Sequence, residues 1–114
     1  VNLDKIKLKA QQISKFSDHH SFHIGSVIFN KKTILACKPN YLFKTHPVYN
    51  RINPLKTLHS EAASVLACRH KEMLKGASIC VYRERKDGSM AMAKPCEDCI
   101  KILKLYQVKE IIYS

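Results

Sequence analysis

Cys96 and Cys99 stand three residues apart, a spacing that puts both thiols on one face of the first turn of a helix, where they can clasp one metal ion. The unpaired backbone N–H groups of a helix N-terminus also favour the thiolate form. His59, well upstream, offers an imidazole at the start of another candidate helix. Two thiolates and an imidazole are donors that suit zinc, but a Cys-x-x-Cys pair serves redox chemistry as well, so the spacing alone leaves both open. Cys37, Cys68 and Cys80 lie in apolar contexts and read as small buried hydrophobes. His19, His20, His23, His46 and His70 lack partner spacing, although His23 and His46 can approach a site built around His59.

These residues need elements to hold them. Leu3, Ile6, Ala10 and Ile13 recur at three- and four-residue intervals among Lys and Gln, which predicts an amphipathic helix over 3–16. Residues 22–29 are rich in β-formers, and Asn30-Lys31-Lys32 leads into an apolar run at 33–37, which together predict a β-hairpin. Residues 38–57 carry Pro39, Pro47 and Pro54 and form a long connection of the kind that is often functional. From Leu58, the positions of Ala62, Val65, Leu66, Arg69 and Met73 predict a second helix with Thr57 as N-cap, closing near Gly76. A third strand at 79–82 and a turn at Asp87-Gly88 follow. A third helix opens at Pro95-Cys96 and carries Ile100, Leu103 and Tyr106, and a last strand covers 108–113. The order α-β-β-α-β-α-β makes one α/β domain over 1–114, its second half alternating as parallel strands require.

His59-Ser60-Glu61 and Pro95-Cys96-Glu97-Asp98-Cys99 together resemble the signature of zinc deaminases, and each half opens a predicted helix preceded by predicted strands. Over nearly its whole length the chain resembles the cytidine deaminase-like superfamily, nearest in look to the cytidine/deoxycytidylate and tRNA-adenosine deaminase types. That resemblance implies a three-layer α-β-α fold on a mixed sheet of four to five strands. It implies Zn2+ held by His59, Cys96 and Cys99, with an open position for water, and Glu61 as the catalytic proton shuttle of a hydrolase that converts cytosine to uracil with release of ammonia. Glu61 is two residues from His59, so both side chains face one pocket only at the irregular start of a helix. By the same resemblance, the backbone around Pro95 orients the attacking oxygen. The resemblance also implies that Asn40, in Lys38-Pro39-Asn40, contacts the sugar or base, and that Phe22, in Phe22-His23-Ile24-Gly25-Ser26, lies against the base. Read as residues only, Asn40 also suits a turn and Phe22 a core. Tyr41-Leu42-Phe43, Tyr49 and Arg51 suit either a pocket wall or loop packing.

The chain has 114 residues, 46% of them hydrophobic, with 3 Gly and 4 Pro, a composition outside the disordered and collagen-like ranges. No stretch approaches a membrane span, the N-terminal residues lack a signal-peptide layout, and five cysteines with one Cys-x-x-Cys do not make a disulfide framework. A cytoplasmic protein is expected. The net charge is +11, but 16 of the 20 basic residues are Lys spread along the chain, a pattern that most often serves solubility and attracts phosphates where folding gathers a basic face. The leading expectation is therefore a free cytosine nucleotide or nucleoside as substrate, with the monophosphate favoured. Single-stranded DNA or RNA is the alternative partner, and an inactive zinc-stabilised binding module a third reading. Relatives of this kind usually continue beyond the last strand read here, so an uncovered sheet edge and a homo-oligomer are expected.

Overall fold

A computed structural model of the chain describes residues 2–18, 22–40, 59–92 and 97–113. Helix α1 (Leu3–Ser14) starts where the Asn2 side chain accepts hydrogen bonds from the backbone N–H groups of Asp4 and Lys5. It buries Ile6 and Ala10 from the face that the sequence periodicity marks, together with Ser14, while Leu3 is exposed and Ile13 half-buried. Strands β1 (Phe22–Phe29) and β2 (Ile34–Pro39) form the expected antiparallel hairpin, whose turn is held by Asn30 accepting from the N–H groups of Lys32 and Thr33.

Helix α2 (Ser60–Ala67) is shorter than the sequence predicts. A helix continued to Gly76 would place Arg69 and Met73 on the core face with Val65, yet both are exposed, while Cys68 and Leu74 are buried. The chain therefore leaves the helix at Cys68, which is extended, and re-enters a short 3-10 turn at Lys71–Leu74. The Lys71 ammonium takes over the exposed helix end by donating to the carbonyls of Leu66 and Cys68. The N-cap is His59; Thr57 lies outside the described residues.

Strand β3 (Ser78–Arg85) is twice as long as expected and pairs antiparallel with β1 along its whole length. Beyond the Asp87-Gly88 turn, the two-residue β4 (Met90–Ala91) pairs back onto β3. Helix α3 (Glu97–Leu105) then leads to β5 (Glu110–Tyr113), which runs parallel to β3. The result is a five-stranded mixed sheet in which β2, β1 and β3 lie side by side and β4 and β5 both join β3. On one face Ile6 and Ala10 of α1 pack on Val27 and Cys80. On the other, α2 and α3 pack on Ile28, Ile79 and Val81, giving the three-layer α-β-α architecture that the family resemblance implies. Among the described residues no helix is long and apolar enough to cross a membrane.

Two features tie α1 to the sheet. At Gly25 a Cβ would stand 2.0 Å from the Ala10 carbonyl oxygen and 2.7 Å from the Ser14 nitrogen, both backbone atoms. Gly25→Ala must therefore push helix from strand, and a loss of about 3 kcal/mol or more is expected in denaturant unfolding. Further along, the buried Glu84 carboxylate takes a 2.6 Å bond from the Lys15 ammonium and a 3.0 Å bond from the Tyr82 hydroxyl. The Lys15 bond holds the Glu84 pKa below its ordinary value, against the opposing effect of burial, with the Tyr82 bond adding to it. A lowered folded-state pKa stabilises the fold above the unfolded value of about 4.3 and loses that contribution as pH falls through the folded value. The thermal midpoint should thus fall below pH ~4.3, and Glu84→Gln should flatten that acid limb while lowering the midpoint at neutral pH.

Candidate active site

The two helices on the far side of the sheet from α1 bring their N-termini to one place. His59 caps α2 with extended backbone (φ −73°, ψ 151°), and Glu61 follows in the first helical turn. Because His59 stands outside the helical spiral, the two-residue spacing does not force its imidazole away from the Glu61 carboxylate. Glu61 is buried, with 4% of its surface exposed, which is uncommon for a carboxylate.

Three serines hold this turn in position. The buried Ser60 hydroxyl lies 2.5 Å from the Lys38 carbonyl oxygen in β2 and 2.7 Å from the Ser26 hydroxyl in β1. Ser60 donates to the carbonyl, and Ser26 donates to Ser60. One turn on, Ser64 donates to the Ser26 carbonyl at 3.3 Å. The i, i+4 spacing of Ser60 and Ser64 was the available sign in the sequence of a polar seam beneath α2.

From α3 comes Cys99, fully buried in the first turn. Its Sγ lies 3.3 Å from Nδ1 of His59. A thiolate and an imidazole nitrogen sharing one tetrahedral zinc, with bonds of roughly 2.3 and 2.0 Å, stand about 3.5 Å apart, so this pair has the separation of two zinc ligands. Cys96 and Pro95 lie outside the described residues, and among the described residues no group of three His, Cys, Asp or Glu side chains gathers as a metal site. The donor chemistry and the spacing of His59 and Cys99 fit zinc, and Cys96 is the third donor that the sequence offers.

The other expected site residues fare differently. Asn40 is buried just past β2, and its side-chain amide spans β1: Nδ2 donates to the Phe22 carbonyl at 3.1 Å, and Oδ1 accepts from the Ile24 N–H at 3.0 Å. It thus extends the hairpin ladder and fixes the entry of β1. Phe22 is half-buried, with the Arg83 guanidinium stacked over its ring at 3.9 Å. His23 does not reach this side; it pairs in register with Glu84, whose carboxylate lies on the α1 face. His70 is exposed beside Glu72. His19, His20, His46, Tyr41, Leu42, Phe43, Tyr49 and Arg51 fall outside the described residues. Cys68 and Cys80 are buried as expected and Cys37 is half-buried, and burial raises the Cys80 thiol pKa.

Comparison with known proteins identifies the family and the fold. Residues 2–114 match the family described as the cytidine and deoxycytidylate deaminase zinc-binding region. Among solved structures, the chain is similar to a dCMP deaminase from the cyanophage S-TIM5 in apo form, with 20% identity and a TM-score of 0.68 over 96% of this chain and 79% of that one. It is also similar to the cytidine deaminase from Mycobacterium tuberculosis, with 19% identity and a TM-score of 0.60 over 100% of this chain and 85% of that one. No match was found among curated proteins. With the match spanning almost every residue and the fold agreeing, the chain belongs to the cytidine and deoxycytidylate deaminase family.

Proposed function

We propose that this chain is a zinc-dependent hydrolytic deaminase that converts the cytosine of a free nucleotide or nucleoside to uracil and ammonia. The observation that carries this reading is the 3.3 Å approach of Cys99 Sγ to His59 Nδ1, with Glu61 buried in the helical turn that His59 caps. His59, Cys99 and Cys96 would hold the metal. Bound zinc would supply Lewis acidity that makes hydroxide available from water near neutral pH. Glu61 takes the proton of the attacking water and delivers it to the ring nitrogen N3 as oxygen adds at C4. It then carries the remaining proton of the added C4 hydroxyl to the amino group, which leaves as ammonia as the C4 carbonyl of uracil forms. The N-termini of α2 and α3 favour the anionic ligands in this process. Pro95, through its backbone, and the Asn40–Phe22 pair would line the substrate side.

Incubation with deoxycytidine, dCMP and a cytosine-containing oligonucleotide, followed by ammonia release, tests the reading. Turnover of the small substrates is expected; turnover of the oligonucleotide alone would support the second reading, action on single-stranded nucleic acid, which the +11 charge favours. An inactive zinc-stabilised module is disfavoured because structural zinc has no use for a buried Glu61. We further propose a single domain that self-associates. Leu8, Met90 and Tyr113 are exposed around a cleft of about 480 Å³ beside α1 and β5. Light scattering should show at least a dimer that tightens with added salt, and a monomer at both salt levels would rule this out.

A further inference from the structure

The side of the sheet facing α2 and α3 is arranged in rows across β1 and β3: Ile28 beside Ile79, Ser26 beside Val81, Ile24 beside Arg83, and Phe22 beside Arg85. The first row is core. The second lies under the start of α2, where Ser26 meets Ser60. Rows on one face are about 6.7 Å apart, so the Ile24–Arg83 row is the next one out, beyond the helix start that carries His59. Asn40 closes the same end by bonding to the backbone of Ile24 and Phe22.

Arg83 in that row is half-buried, lies flat against Phe22 and donates from Nη1 to the Met92 carbonyl at 3.5 Å. Its Nε is enclosed without a hydrogen-bond partner, and among the described residues no carboxylate pairs with it. Its sequence neighbour Glu84 is turned to the opposite face, where Lys15 holds it. A guanidinium partly removed from water and left without a counter-ion is costly unless an anion completes it, and its planar fork suits a phosphate.

We propose that Arg83 binds the 5′-phosphate of the cytosine nucleotide and makes the monophosphate, rather than the nucleoside, the substrate of this site; the proposal rests on the deaminase reading above. Calorimetric titration of the zinc-loaded protein with the products dUMP and deoxyuridine tests it without requiring turnover. dUMP should bind about 10- to 150-fold more tightly than deoxyuridine, the range of a charge-assisted hydrogen-bond contact. Arg83→Ala should remove most of that advantage while leaving deoxyuridine affinity within about threefold, and Arg83→Lys should restore part of it. Arg83→Gln, which keeps the stem over Phe22, serves if the Ala variant fails to fold. Equal affinity for the two ligands, a phosphate advantage that survives in the Arg83 variants, or an equal loss for both ligands would overturn the proposal. Absence of deamination with the phosphate advantage intact would instead overturn the deaminase reading and leave the role of Arg83 standing.

Discussion

Glu61→Gln should lower kcat by at least about 10³-fold while leaving zinc content, circular dichroism and thermal midpoint near those of the parent protein. General acid–base catalysis by one positioned side chain is commonly worth about 10² to 10⁴ in rate, and Glu61 is assigned more than one proton transfer in the same cycle. Gln matches the shape of the buried side chain but cannot carry the proton, so the packing of the first turn of α2 is kept and the chemistry is removed. Steady-state kinetics on dCMP, with metal analysis of the same sample, reads both halves of this statement. A variant retaining a tenth or more of parental kcat would show that the proton is moved by another group.

Cys99→Ala should have the second large effect, and of a different kind. Cys99 is fully buried in the core that joins α2, α3 and the sheet, and its sulfur stands at ligand distance from His59. On the proposed ligand set, losing that donor should take the metal from near one per chain toward none. Because metal binds the folded site and not the unfolded chain, its loss also weakens the fold. A metal present at a hundredfold excess over its Kd contributes about 3 kcal/mol, or roughly 10–20 °C in Tm for a domain of this size. Removing zinc from the parent protein with a chelator should reproduce most of that fall, and the chelator should do nothing further to the variant. Unchanged zinc content in Cys99→Ala would remove Cys99 from the ligand set.

The parts of the fold that repeat locally were legible from sequence. Ile6 and Ala10 mark the buried face of α1, and the run from Phe22 to Phe29 is a strand at the expected bounds. What failed depends on distant partners. Arg69 and Met73 continue the helical period of Val65, yet the chain breaks at Cys68 so that Cys68 and Leu74 can both enter the core, and no local pattern announces that exchange. Strand β4 is two residues long and exists through pairing with Arg83 and Glu84 across the Asp87-Gly88 turn, too short for any period to reveal.

The site shows the same division. Motif spacing named His59 and Cys99, and the fold brings them within 3.3 Å of each other. Asn40, expected at the substrate, also bonds to the backbone of β1, a role that only the hairpin register discloses. Arg83 looked like one of twenty scattered basic residues. Only the alternation of β3, which turns Glu84 toward Lys15 and Arg83 toward Phe22, separates it from them.

The most direct test of the central claim is to incubate the zinc-loaded protein with dCMP in heavy-oxygen water and analyse the products by mass spectrometry together with an ammonia assay. Hydrolytic deamination predicts dUMP and ammonia in equal amounts, with one heavy oxygen at the base carbon that lost the amino group, and no product from Glu61→Gln. Protein that holds one zinc per chain yet releases neither ammonia nor labelled dUMP would contradict the account.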